Sequence, residues 1–381
     1  MPKIAVLGVG RVGYTIAKTL SQKYTVYAVD CSETALRKLH SLDNLHTIHG
    51  DLNNPTSLEK IGNQVELVVN ALPSHLGYST LQTILKLQKN IVDISFFSED
   101  PFQLDNLAKS NRVCAVVDSG LAPGLSNLFL GYYENQLPIT HFECMVGGLP
   151  LERTLPFQYA APFCPRDVLE EYIRPARFKK NGNILSQDPL QNLNLIEIPT
   201  VGTLECFLTD GLRTLLYTSA VPNMEEKTLR YPGHLQCIRV LKAANLLQTE
   251  SVEFQGTSLR PIDFTAHQLK ECWQFKNGQK DITIMLLRMK TPSKTLSFRL
   301  WDTYDTITST SSMARTTGFT CCAVVELLLQ GSWKSTGVQP LEFVGKDEKA
   351  FRWILNYLTS RGVQLSQSEE KFPDKPNPDS P

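Results

Sequence analysis

The chain opens with a short apolar run, Ile4 to Leu7, then three glycines spaced G-x-G-x-x-G (Gly8, Gly10, Gly13), then an amphipathic stretch to Leu20. Strand, tight turn and helix follow directly from that order. A glycine triplet alone is weak evidence, but this context is what a dinucleotide-binding turn requires. Gly8 permits the turn, Gly10 lets backbone approach a pyrophosphate, and Gly13 lets the helix lie close to the strand. The helix N-terminus then faces the phosphates, with Arg11 and Val12 beside them.

A second apolar run, "YTVYAVD", ends in Asp30. A carboxylate there can accept both ribose hydroxyls, and it would repel a 2′-phosphate, which favours NAD over NADP; Arg37 leaves NADP open. Helical and strand-like segments keep alternating through "HTIHGDL", "VELVVNALP", "NIVDISF" and "VCAVVDSG". This rhythm predicts an α/β fold whose N-terminal Rossmann domain is a doubly wound parallel sheet with helices on both faces. Ligands of such sheets lie beyond the carboxyl ends of the strands. Asp51, Asn70, Ala71, Leu72, His75, Asp93, Ser95, Asp118 and Gly120 are therefore expected to line a cofactor crevice. Each of them can equally be an ordinary cap or turn residue.

After Asn127 the pattern changes. "ITHFECMVGGLP", "RFKKNGNILSQ", "NLNLIEIP", "DITIMLLRM" and "TLSFRLWDTYD" read as strands with hairpin punctuation, interspersed with helical "CPRDVLEEYI", "GHLQCIRVLKAANLL" and "PIDFTAHQLKECWQF". A second, α+β domain on a mostly antiparallel sheet is expected. The boundaries read as 1–122 for the Rossmann NAD-binding domain and 123–330 for the α+β domain, to which the resemblance described below assigns substrate binding and dimerisation. A C-terminal helix at 331–365 packs back on the first domain, and 366–381 is a disordered tail. "DSGLAPGLSN" marks the crossing between domains, with Pro123 opening the next helix.

Lys plus Arg and Asp plus Glu both number 38, so nothing favours nucleic acid or an anionic membrane, and the expected partner is a small molecule. No apolar run approaches a membrane span and the N-terminus reads straight into a strand, so a cytoplasmic protein is expected. Nine scattered cysteines without a C-x-x-C pair argue for free thiols, with neither disulfide framework nor metal site.

The segments "SGLAPGLSNL", "VGGLP", "TLECFLTDGLRTLL", "KTLRYPGH" and "MARTTGF", taken with the glycine motif, resemble the saccharopine dehydrogenase family. The resemblance is strongest to its lysine 6-dehydrogenase branch. It implies NAD-dependent oxidation of the ε-amine of L-lysine. The imine is hydrolysed to 2-aminoadipate 6-semialdehyde, which cyclises to Δ1-piperideine-6-carboxylate, and ammonia is released. It also implies a homodimer or larger homo-oligomer. The saccharopine branch carries Asp and Cys where this chain has Ala122 and Val146, so those two roles do not transfer and the departures favour lysine. Arg230 matches an arginine that the family uses for the amino-acid carboxylate, and Arg315 offers a second guanidinium fork. Thr209 and Asp210 are candidates for the amino-acid end.

Oxidation at an amine carbon needs the neutral amine, so the site must remove a proton from an ammonium with a pKa of about 10.4. Asp118 and Asp93, at strand ends, and His234 are the candidates for that work. Each has a structural alternative: a helix cap for Asp118 and His234, a turn for Asp93, carboxylate pairing for Arg230 and Arg315. The competing functions are a saccharopine-type oxidoreductase and a non-catalytic NAD-binding protein.

Overall fold

The computed structural model describes residues 1–161, 163–276 and 278–372. In the first third, β1 (Lys3–Leu7), β2 (Thr25–Asp30), β3 (Leu45–His49), β4 (Leu67–Asn70), β5 (Asn90–Asp93) and β6 (Cys114–Val117) alternate with helices. The middle holds β7 (His141–Pro150), β8 (Ala176–Lys180), β9 (Asn183–Gln187), β10 (Asn194–Ile198), β11 (Gly202–Leu208) and β12 (Asn223–Arg230). A small hairpin, β13 (Val252–Phe254) and β14 (Thr257–Leu259), precedes β15 (Asp281–Lys290) and β16 (Lys294–Thr303). Two short strands, β17 (Gly337–Pro340) and β18 (Leu365–Lys371), follow near the end.

The first sheet runs β3-β2-β1-β4-β5-β6-β17 with every pair parallel. Strand order reverses between β1 and β4, which opens a crevice above their carboxyl ends. The central strands are buried along their whole length, as β4 and β6 show, because helices cover both faces. The second sheet runs β10-β11-β12-β7-β15-β16-β18, with β8 and β9 attached at β12. It is antiparallel except where β12 runs alongside β7.

The helix Ser312–Leu329 lies between the two sheets, against the Arg11–Leu20 helix on one side and β15 and β16 on the other. By length and composition it could cross a bilayer, contrary to the expectation that no segment could, yet 72% of it is buried inside the fold. An aromatic cluster fixes the neighbouring helices: Phe129 packs on Phe298 and Phe351, and the Tyr132 ring stacks on that of Phe351 at 3.9 Å. All nine cysteines are free, five of them buried.

Three boundaries differ from the sequence reading. Residues 337–340 form no part of a purely helical C-terminal block; β17 extends the first sheet beside β6. The tail is not structureless from Ser366, because residues to Lys371 pair with β16 as an exposed edge strand. Their polar sequence hides this, since an edge strand needs no apolar face. Residues 373–381 of the expected tail lie outside the described residues. The helix after the crossing starts at Leu125 rather than Pro123, capped by Gly124, whose amide donates to Asn127 Oδ1 at 3.1 Å.

Candidate active site

A single cavity of about 570 Å³ runs from the glycine turn to the inner face of the second sheet. Gly8, Gly10, Arg11, Val12, Gly13, Asp30, Asp51, Ala71, Leu72, His75, Asp118 and Gly120 all line its first-domain side. The glycines differ in what surrounds them. A Cβ on Gly13 would lie 1.9 Å from the Gly8 carbonyl oxygen, and one on Gly8 2.7 Å from that of Ala71. A Cβ on Gly10 would meet nothing within 4 Å. The open space therefore lies over Gly10, at the N-terminus of a helix that no side chain caps. That is the cradle a pyrophosphate needs.

Asp30 closes the far edge of this cradle. Its carboxylate accepts the amides of Val9 at 2.7 Å and Ser32 at 2.8 Å, which ties the end of β2 to the glycine turn. Among the described residues the basic side chains that line the cavity are Arg11, Arg174 and Arg230. Arg37 is exposed and paired to Glu33 at 3.1 Å, away from the cavity lining. Arg11 lines the cavity beside the glycines, and its guanidinium donates to the Phe275 carbonyl at 2.9 Å and stacks on that ring.

At the other end of the cradle Asp118 follows β6 in a left-handed conformation, φ 52°. Its Oδ1 accepts from Arg213 Nε at 2.7 Å across the two domains, and both side chains are almost fully buried. Arg213 also donates to the Phe97 carbonyl. Asp118 Oδ2 and Arg213 Nη2 have no partner among the described residues. Burial pushes the Asp118 pKa up, and the arginine opposes that shift.

Two regular elements build the opposite wall. On the Pro165–Ile173 helix, Asp167, Glu170 and Glu171 line the cavity, and Arg174 follows at the C-cap. Their i, i+3, i+4, i+7 spacing puts all four on one face. On β12, Glu226, Thr228 and Arg230 line it by the strand period of two. Thr209 lies next to them: it donates to Glu226 and sits 2.9 Å from the Thr228 hydroxyl. Glu226 also accepts the Gly211 amide at 3.2 Å, and burial raises its pKa to about 8. Asp210 lines the cavity but is held by Arg177 through three hydrogen bonds, one from its amide and two from its guanidinium. Ser74 of the first domain donates to Asp167 at 2.6 Å, a second tie across the crevice.

Arg230 lines the cavity as expected, although its nitrogens are already engaged by Glu171 at 2.6 Å, the Tyr172 hydroxyl at 3.0 Å and the Leu229 carbonyl at 3.0 Å. Four other expected site residues lie outside the cavity lining. Asn70 bridges the Gly77 carbonyl and Asp93, and so braces the turn after β4. Asp93 is fully buried, with Asn70 Nδ2 and the Ser95 amide each at 2.6 Å, and burial lifts its pKa to about 8. His234 is fully buried between the Phe157 carbonyl and the Tyr172 hydroxyl, each at 2.8 Å, and burial drives its pKa down to about 3. A neutral ring with both nitrogens engaged relays no proton to water. Arg315 is held by Asp302, Asp305 and the Arg361 carbonyl. The residues that sequence reasoning missed are Arg213, Glu226, Asp167, Glu170, Glu171 and Arg174.

Known proteins are similar to this chain in sequence and fold. The model of the saccharopine dehydrogenase C-terminal domain matches residues 120–363, and that of the TrkA-N domain residues 4–96. The saccharopine dehydrogenase [NADP(+), L-glutamate-forming] of Schizosaccharomyces pombe is 20% identical, over 96% of this chain and 99% of the relative. The α-aminoadipic semialdehyde synthase of Arabidopsis thaliana is 24% identical over 62% of this chain, which spans only 23% of that longer protein. The apo saccharopine dehydrogenase (L-Glu forming) of Saccharomyces cerevisiae shares the fold with a TM-score of 0.76 at 16% identity, covering 97% of this chain and 100% of that one. The chain belongs to the saccharopine dehydrogenase family.

Proposed function

We propose that the protein is a pyridine-nucleotide-dependent oxidoreductase of amino-acid metabolism that uses NAD to remove the ε-amino group of L-lysine. The observation that carries this reading is the continuity of one cavity from the open space over Gly10 to a wall rich in carboxyl groups. Nicotinamide, when bound, accepts a hydride from the amine carbon. The chain's own residues bind, orient and deprotonate. Asp118 lines the cavity and its Oδ2 has no partner among the described residues, which suits it to hold the ε-ammonium and then take its proton. Arg213 opposes the upward pull of burial on that carboxylate. Loss of hydride and proton gives the imine, and water then gives the semialdehyde and ammonia. Asp30, which lines the cavity and whose carboxylate would repel a 2′-phosphate, favours NAD over NADP. The same reading expects a cytoplasmic homo-oligomer.

A saccharopine-type reaction on a secondary amine is the second reading, favoured by the names of the relatives. NADH formation with L-lysine, L-ornithine and L-saccharopine, each with NAD and NADP and with ammonia measured, tests both. Ammonia released with NADH from lysine supports the first reading. Turnover of saccharopine alone supports the second, and cofactor binding without any turnover points to a protein that kept the fold and lost the chemistry.

A further inference from the structure

We infer that Arg174 receives the substrate's α-carboxylate, an assignment that rests on the amino-acid reading above. The role would otherwise fall to Arg230, yet that guanidinium spends its nitrogens on Glu171, Tyr172 and the Leu229 carbonyl, and its Cζ lies 4.6 Å from the Tyr159 ring centroid. Arg11 is committed to Phe275, and Arg213 to Asp118 and the Phe97 carbonyl. Arg174 differs from all three in that no hydrogen bond among the described residues holds its guanidinium. It lines the cavity, and its Nη1 is enclosed without a partner among those residues.

The surroundings of Arg174 suit an incoming anion. Its Cζ lies 5.0 Å from the Phe96 ring centroid, so the guanidinium rests on an aromatic platform supplied by the other domain. Glu170 and Asp210 are the acidic groups acting on it, but Arg166 holds the first at 2.5 Å and Arg177 the second at 2.7 Å. Arg213 and Arg177 add like charge. A planar fork short of partners, beside other cations and a stacked ring, is matched by a carboxylate that takes two parallel hydrogen bonds. One cation without a partner also limits what fits: a monocarboxylate with two amines complements this wall better than a tricarboxylate. Glu226, which has no cationic partner, is left for an amine.

The test compares L-lysine with 1,5-diaminopentane, which is lysine without its carboxylate, in the intact enzyme and in Arg174→Gln. Losing a charge-assisted pair remote from the reacting carbon weakens binding before and during the reaction alike, so it raises KM rather than lowering kcat. The expected result is a KM for lysine about 30- to 100-fold higher, kcat within about threefold, and no change for the diamine. NADH affinity, read by fluorescence titration, is expected to stay the same. Arg174→Lys should fall between, keeping charge and losing the fork. Equal losses on lysine and diamine, a parallel loss of NADH affinity, or an unchanged lysine KM would overturn the assignment.

Failure of the lysine reading itself shows separately, as absence of lysine turnover in the unaltered enzyme. Calorimetric titration of the NADH-loaded proteins with L-saccharopine, L-ornithine and L-glutamate then decides. A carboxylate ligand held at least about tenfold more weakly by Arg174→Gln supports the assignment. Equal binding by both proteins, or binding by neither, rejects it.

Discussion

Asp118 and Arg213 lie 95 positions apart in sequence and form a 2.7 Å ion pair, buried where the two domains meet. The pair joins the domains, and it leaves Asp118 Oδ2 without a partner among the described residues. Breaking a buried pair by removing one partner costs about 3–5 kcal/mol, because the remaining charge is stranded. Arg213→Met is therefore expected to lower stability by that order in denaturant melts. Asp118→Asn keeps the shape and suits the left-handed backbone, which asparagine tolerates. It still strands the buried Arg213 charge, so it should lose stability of the same order as Arg213→Met while kcat falls at least about 100-fold.

The glycine turn separates folding from binding. Gly13→Ala drives a methyl into the Gly8 carbonyl and should cost several kcal/mol, on the order of an overpacked core. Gly10→Ala meets open space and should melt within about 1 kcal/mol of the unaltered protein. Its NADH affinity should fall by about tenfold or more, because the methyl occupies the phosphate's place. Thermal melts with and without NADH would read both effects; equal behaviour of the two variants would contradict the cradle.

Glu226 sets a pH dependence on stability. Its folded pKa, about 8, stands above the ordinary 4.5 because burial disfavours the charge. The folded state therefore holds a proton that the unfolded chain releases. That contribution is complete below pH 4.5, declines as pH rises, and is gone above about pH 8. Asp93 acts in the same sense between 3.8 and about 8. Glu226→Gln should flatten part of the alkaline decline, seen as a smaller difference between urea midpoints at about pH 6 and about pH 9.

His234 works in the opposite sense. Its Nδ1 donates to the Phe157 carbonyl, so Nε2 accepts from the Tyr172 hydroxyl, which in turn accepts from Arg230 Nε. With a folded pKa near 3 against an ordinary 6.5, it contributes stability above pH 6.5 that is lost as pH falls toward about 3. His234→Leu should cost about 1–3 kcal/mol at neutral pH by leaving Tyr172 unsatisfied, and should weaken the acid-side decline. The pH profile of kcat is expected to keep its shape, which a proton-relaying histidine would not allow.

Much of the cofactor side was legible because it rests on local geometry. Gly8, Gly10, Gly13 and Asp30 sit at turns and strand ends whose roles follow from a few neighbouring residues. The opposite wall was less legible, although it left signals. Asp167, Glu170, Glu171 and Arg174 repeat at helical spacing, and Glu226, Thr228 and Arg230 at strand spacing; reading "NMEEKTLR" as a strand would have found Glu226. Asp93, His234 and Arg315 carry the right chemistry for a site, but nothing local says whether a side chain turns toward a cavity or into the core.

The sequence by itself determined the alternation that winds the first sheet, the glycine turn, and the change to a second, mostly antiparallel domain, because periodicity and turn chemistry act over a few residues. Only the tertiary structure decided which charges are consumed. Arg213 reaches Asp118, Glu171 takes Arg230, Arg177 takes Asp210, and Arg174 is left over. It also drew β17 into the first sheet from more than 200 residues away. Ion pairing and strand addition depend on distances through space, and burial makes each pairing all-or-none, so no local pattern could set them.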